Sequence, residues 1–341
     1  MIDQGSDMVF SSIRWRARSI LALALLATLL ALGSCALTPE PVNTEVDTSV
    51  PRIVLVGDPH LPYKATVSSA AEGEAIILAK ESMRSDINGW AGVARVVALG
   101  DITANRGTEK EYSQAAAFLE RFSAPLVPVA GNHDYIYTDQ PGALGVVVAG
   151  SPASRTEKLG RFAAAFRLSS FQSEESLAGY ELVYLSTDST NTRYQAGLSD
   201  ASLSWLETML ERNPSKPTIV FYHAPLAGTL IKNGATASGN AVAQPADRID
   251  AILRRNPQVF LWVSGHTHTL PSDPNFASAM NLYDGRVMDI HCPDLGHARI
   301  YTNSLWLYPD RVVVRTYDHL ARGFLSALDR SIVTPFKATT P

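Results

Sequence analysis

The chain has 341 residues, 46% hydrophobic and 18% charged, enough for one large core or two smaller ones. Its net charge of -4, with no Lys/Arg-rich run, gives no reason to expect nucleic acid as a partner, because such proteins carry a basic footprint. With 20 Pro and 22 Gly the loops are punctuated rather than disordered, and composition alone points to a globular, enzyme-sized domain.

In chain order, the N-terminus comes first. Arg14, Arg16 and Arg18 precede an apolar run over residues 20–32, broken only by Thr28. The run matches a signal-peptide core and falls short of the ~20 residues of a spanning helix. It ends in Leu32-Gly33-Ser34-Cys35. Small residues before a Cys resemble a bacterial lipobox, which implies removal of residues 1–34 and lipid on Cys35. An exported chain anchored in the cell envelope is therefore expected, its domain in water at a membrane surface. The other readings are an uncleaved membrane anchor, since apolar character continues weakly through Ala36 and Leu37, and ordinary cleavage. There are 2 Cys; with Cys35 lipidated, Cys292 has no intrachain partner. Residues 35–51 hold no apolar periodicity and read as a tether.

From residue 52 short β-branched runs alternate with helical patterns, the mark of a layered α/β fold. Residues 52–56 form a strand ending at Gly57, and 72–88 a helix with Ile76, Met83 and Ile87 inward. Residues 95–99 form a strand ending at Gly100. Thr108-Glu109-Lys110-Glu111 opens a helix with a capping box whose inner face is Tyr112, Ala115, Leu119 and Phe122. Residues 126–130 are the third strand. Residues 135–170, rich in Gly and Pro, are expected as an irregular cap bordering a site. A strand over 180–186, a helix capped by Ser199 or Asp200, a strand over 218–222, a helix from Pro245 to Arg255 and a strand over 259–264 follow. From 279 to 317 strands with tight turns and no helices suggest a second, largely antiparallel sheet. Residues 52–320 read as one domain and 321–341 as a tail.

Five strand ends carry ligand-type side chains: Asp58-Pro59-His60, Gly100-Asp101, Asn132-His133-Asp134, His223 and His266-Thr267-His268. They hold five of the 8 His. In extended backbone residues i and i+2 point the same way, so Asp58 with His60, and His266 with His268, would each offer two donors to one place. A lone His after a strand is most often structural. Five such ends together, at the edge where α/β sheets place ligands, make a metal site.

The order Asp-x-His, Gly-Asp, Gly-Asn-His-Asp, His, Gly-His-x-His resembles the calcineurin-like metallophosphoesterases over residues 53–268. The resemblance implies a two-sheet β-sandwich flanked by helices and a dinuclear metal centre. One metal would be held by Asp58, His60 and His268 and the other by Asn132, His223 and His266, with Asp101 bridging. Donors that are all N or O suit Fe, Mn or Zn. The activity implied is hydrolysis of small phosphate esters, a metal-bridging hydroxide attacking phosphorus in line while His133 gives a proton to the leaving oxygen and Asp134 fixes the His133 tautomer. Gly107-Thr108-Glu109-Lys110-Glu111-Tyr112 and Trp205-Leu206-Glu207 look like the branch with bacterial cyclic-nucleotide phosphodiesterases, so a nucleotide diester is the alternative substrate. Tyr222-His223-Ala224-Pro225 departs from that branch, which commonly has a second His before the ligand and a second Pro after it. A surface lipoprotein using the fold only as a binding module is the rival from another class.

Overall fold

The computed structural model describes residues 47–339 except Ala65 and Asn233. The expected signal segment, Cys35 and most of the tether lie outside the described residues. Within the described residues no helix is long and apolar enough to cross a membrane.

The elements are β1 (Arg52–Val56), α1 (Ala70–Gly89), β2 (Val93–Leu99), α2 (Glu109–Leu119), β3 (Leu126–Val129), the single turn α3 (Asn132–Tyr135), α4 (Pro152–Phe166), β4 (Gln172–Leu177) and β5 (Tyr180–Leu185). They continue as α5 (Asp200–Arg212), β6 (Thr218–Tyr222), β7 (Ile231–Lys232), β8 (Ala235–Thr236), α6 (Ala246–Arg255) and β9 (Val259–Ser264). The last are β10 (Leu282–Tyr283), β11 (Val287–His291), β12 (Tyr301–Leu307), β13 (Arg311–Asp318), β14 (Gly323–Phe324) and β15 (Arg330–Val333).

Two sheets carry the fold. One runs β14-β13-β12-β1-β2-β3, with β15 also on β13; the other runs β10-β11-β9-β6-β5-β4. Strand alternation sorts the apolar residues into layers. Ile53, Leu55, Val97 and Leu99 of the first sheet meet Leu182, Ile219, Phe221, Leu261 and Val263 of the second in one core. Their neighbours turn outward: Val54, Val56, Val96 and Ala98 pack under α1 and α2, and Val183, Val220 and Trp262 pack under α5 and α6. Both faces of the central strands are covered, which is why they read as unbroken apolar runs.

Both predicted caps form: Thr108 accepts from the Glu111 amide in a reciprocal box, and Ser199 accepts from that of Ser202.

The C-terminal strands differ from expectation. They do not build a sheet of their own. β12 lies antiparallel to β1 and β11 parallel to β9, so each completes one of the two existing sheets. The open edges of β1 and β9 supply the unpaired backbone groups, and strand periodicity says nothing about which edge is nearest. Residues after 320, expected as a tail, include β14 and β15, both paired with β13.

The region 135–170 contains α4, a helix the apolar pattern hides. Its buried face includes Arg155 and Lys158. Arg155 donates to the carbonyls of Gly150 and Thr192; Lys158 donates to those of Arg106 and Gly107. Cations that bind loop carbonyls sit where a periodicity test looks for leucine.

Candidate metal centre

β1, β2, β3, β6 and β9 all end at the same edge of the sandwich, and each end carries donors. The chain reverses there through left-handed backbone rather than extended backbone. Asp58, His60, Asp101, His266 and His268 have φ of 39°, 41°, 49°, 65° and 53°. Convergence thus comes from tight turns, not from the i, i+2 alternation of a strand, as the sequence suggested. Left-handed φ is uncommon for residues with a Cβ and gathers at functional sites.

Two glycines make the close approach possible. Gly100, at φ +82°, lies against the His223 ring, and a Cβ on Gly131 would fall on the Asp101 amide and carboxylate.

The donors form two groups that share one carboxylate. Asp58, His60, Asp101 and His268 bring one ligand atom each to within 4.8 Å of one another, and so do Asp101, His223 and His266. His60 Nε2 lies 3.5 Å from His268 Nε2, and His268 Nε2 lies 3.4 Å from Asp58 Oδ1. On the other side His223 Nε2 lies 3.1 Å from both Asn132 Oδ1 and His266 Nδ1, and 3.4 Å from Asp101 Oδ1. Tyr137 Oη accepts from Asn132 Nδ2 at 3.2 Å, which aims the Asn132 oxygen at the group. Every predicted ligand is therefore present where two groups of donors meet.

The imidazole tautomers fit metal ions. The outer nitrogens donate to backbone carbonyls: His60 Nδ1 to Ala104 (3.2 Å), His223 Nδ1 to Leu99 (2.8 Å) and His266 Nε2 to Asn240 (2.6 Å). With each proton held outside, the inner nitrogens face one another with lone pairs, an arrangement that a cation between them stabilises. Burial above all keeps His60 deprotonated well below the usual histidine range; burial and the His223 charge push His266 down to about 4. Neutral imidazole is the ligand form. Burial works against the Asp101 carboxylate, yet His223, His133, His60 and His266 around it hold it far below the carboxylate range.

A calcineurin-like phosphoesterase family model matches residues 51–270, which takes in every one of these strand ends. The chain belongs to the calcineurin-like phosphoesterase family. Within that match lie residues placed to bind metal. A relative, the glycerophosphodiester phosphodiesterase GpdQ of Enterobacter lignolyticus, is 29% identical over 182 residues, 51% of this chain and 56% of that protein. The match thus spans little more than half of the relative. A dimetal phosphatase from Danio rerio superposes with a TM-score of 0.54 at 16% identity, covering 84% of this chain and 99% of that one. A purple acid phosphatase, PPD1, from yellow lupin gives 0.53 at 15% identity, covering 84% and 54%. These two share the fold.

His133 stands apart from the ligands. Its amide donates to Asp101 Oδ1 at 2.8 Å, its Nδ1 donates to the Asn105 carbonyl at 2.6 Å, and its half-buried ring stands 5.1 Å from that of His60.

Asp134 does something other than expected. Its carboxylate does not pair with His133, whose tautomer is set by Asn105. It accepts instead from the amides of Ile102 (3.2 Å), Thr103 (2.8 Å) and Gly131 (2.8 Å) and from Thr103 Oγ1 (3.0 Å). The residue after His133 faces inward on the α3 turn, where it ties the Asp101 loop to the Asn132 loop. Asp134→Ala leaves three buried amides unpaired at about 1–3 kcal/mol each. The expected outcome is lower thermal stability and loss of bound metal together, read by calorimetry and metal analysis. A change confined to the pH profile of kcat would restore the tautomer role.

Several supports had no motif to announce them. Lys80 on α1 donates to the carbonyls of Pro59 (2.6 Å), His60 (3.0 Å) and Pro62 (2.9 Å), clamping the first ligand loop. Glu111 of the capping box also accepts from the amides of Asn105 and Arg106, both at 3.1 Å, which holds the His133 acceptor in place. Asp294, after β11, sets Oδ2 3.7 Å from His268 Nδ1 and Oδ1 3.4 Å from His297 Nε2. Burial opposes its charge, but the close approach of His297 and the His268 charge pull it down to about 2. A carboxyl lowered in the folded state contributes stability above its unfolded pKa of about 4, lost as pH falls toward about 2. Metal-free Asp294→Asn should therefore lose less stability than the parent chain across that window in denaturant titrations.

Proposed function

We propose that this phosphoesterase works with two metal ions and cleaves small phosphate esters, phosphodiesters before monoesters. The observation that carries the reading is the single carboxylate of Asp101, shared between two otherwise separate donor groups. Asp58, His60 and His268 would hold one ion and Asn132, His223 and His266 the other, with Asp101 between. Bound there, two cations would polarise the phosphoryl oxygens and make a nucleophile of water at neutral pH. Donors all of N and O suit Fe, Mn or Zn.

The remaining chemistry belongs to the chain. Its Nδ1 proton committed to Asn105, His133 can carry a second proton only on Nε2, on the side of the ring away from that carbonyl. Donating that proton to the departing alkoxide is its role in this reading. The kinship with a protein named for glycerophosphodiester hydrolysis supports a diester substrate. The departure at Tyr222-His223-Ala224-Pro225 counts against a cyclic nucleotide.

The apolar run over residues 20–32 and the small residues before Cys35 support export and lipid anchoring in the cell envelope. Mass spectrometry of residue 35 tests this directly.

The decisive assay compares bis-p-nitrophenyl phosphate, p-nitrophenyl phosphate and a glycerophosphodiester on Mn-, Zn- and Fe-loaded protein. The reading expects faster diester turnover and two metals per chain. Monoester turnover in excess of diester turnover would reverse the substrate order; one metal per chain at full activity would remove the two-ion reading.

A further inference from the structure

Residues 141–150 read Pro-Gly-Ala-Leu-Gly-Val-Val-Val-Ala-Gly, ten positions without one charged or hydrogen-bonding side chain. Among the described residues the other apolar runs, such as β1 and β9, are strands covered on both faces. This one is a loop standing in solvent, with Leu144, Val146, Val147 and Val148 at 102%, 58%, 38% and 43% exposure. The loop is ordered by its own backbone. The Gly142 amide donates to the Val146 carbonyl (2.8 Å), that of Thr138 to Val148 (2.8 Å) and that of Gly150 to Ile136 (2.7 Å). At its tip Leu144 has φ 58°, a conformation that Gly or Asn adopts more easily than Leu. Local conformational preference therefore argues against an aliphatic residue there, and no core rewards it.

The root of this loop is the metal centre itself. The loop leaves directly from α3, which carries Asn132 and His133, and its base is pinned by Tyr137, whose hydroxyl accepts from both Asn132 Nδ2 and Gln195 Nε2. The loop is thereby tied, through Tyr137, to the turn that carries Asn132 and His133.

A second copy of the chain is a poor match. Stable interfaces bury about 800 Å² per partner around aromatic and Arg anchors, and this is one narrow tip of four aliphatic side chains. A lipid surface needs neither flatness nor partner hydrogen bonds. It takes an apolar protrusion of modest depth, since the interfacial layer still hydrates the backbone groups of a tip that enters only ~5–10 Å. The chain also carries its own means of reaching one: Cys35 lies about 17 residues before β1, and that length of extended chain spans ~55–60 Å.

We propose that residues 142–148 insert into the outer part of a bilayer and turn the metal centre toward the headgroup layer, so that its phosphodiester substrates come from that layer. This rests on the reading that Cys35 holds the chain at a membrane. Insertion of this kind is apolar and keeps its strength at high salt, unlike attachment through basic residues.

The test uses the full, lipidated chain on vesicles of phosphatidylethanolamine and phosphatidylglycerol. An environment-sensitive fluorophore is attached at Leu144→Cys and, in a separate variant, at Val333→Cys, an exposed position on β15 (76%); Cys292 is buried and escapes labelling. The expected result is flotation with the vesicles, a blue-shifted label at 144 quenched by brominated acyl chains, and a solvent-like label at 333. Leu144→Asp should then lower hydrolysis of vesicle headgroups while turnover of soluble bis-p-nitrophenyl phosphate stays unchanged. A chain that floats with a solvent-like label at 144 overturns the insertion and leaves the anchor standing. A lipidated chain that does not float removes the anchor and the insertion with it. A blue shift that grows with protein concentration without vesicles assigns the loop to a second copy and overturns the proposal.

Discussion

Replacing His133 by alanine should lower kcat by ~10²–10⁴ while both metals stay bound. Among the described residues the imidazole hydrogen-bonds to the Asn105 carbonyl, and the bond to Asp101 runs from the backbone amide, which alanine retains. The ligand groups therefore lose no hydrogen bond, and three other imidazoles still hold Asp101 ionised. The size of the loss should depend on the leaving group. An alkoxide must gain a proton as it departs, whereas p-nitrophenolate leaves as a stable anion, so the deficit is large with a glycerophosphodiester and small with the bis-p-nitrophenyl ester. Steady-state kinetics on both substrates, with metal analysis alongside, decide the matter. Equal deficits on the two substrates would assign His133 to positioning rather than proton transfer.

Asp101→Asn should act on metal binding itself. The carboxylate has an oxygen for each group: Oδ1 lies 3.4 Å from His223 Nε2 and Oδ2 3.9 Å from His60 Nε2. An amide keeps one oxygen and turns an NH₂ donor toward the other group, so one group loses its acceptor and its share of negative charge. Titration should show metal stoichiometry falling from two to one or fewer, with turnover down by ~10²–10³, the scale of removing one charge-stabilising group in an enzyme site. The variant should still fold, because Asp134 holds the loop through three amides and the asparagine oxygen can still accept from the His133 amide. Two tight metals in Asp101→Asn would mean that the carboxylate does not link the groups.

How legible all this was varies by kind of feature. The strand ends were readable because four of the five couple an apolar run to Gly and then a donor, as in Leu99-Gly100-Asp101 and Ala130-Gly131-Asn132. The capping box of α2 was readable for the same reason, since both halves of the interaction lie within four residues. What hid α4 was a buried face that includes Arg155 and Lys158. Asp134 misled because adjacency to His133 suggests contact, while on a helical turn neighbouring side chains point apart.

Side-chain chemistry is written locally, so the donor set, the family and the layered α/β class could be taken from residues 52–270 without coordinates. Ala104, Asn105, Leu99 and Asn240 act through carbonyl oxygens, which every residue has and no motif marks. Their placement, the shared position of Asp101, the clamp by Lys80, the approach of Asp294 and the division of β11 and β12 between two sheets all follow from how packed layers bring distant backbone together. That is a property of the assembled core, and only folding establishes it.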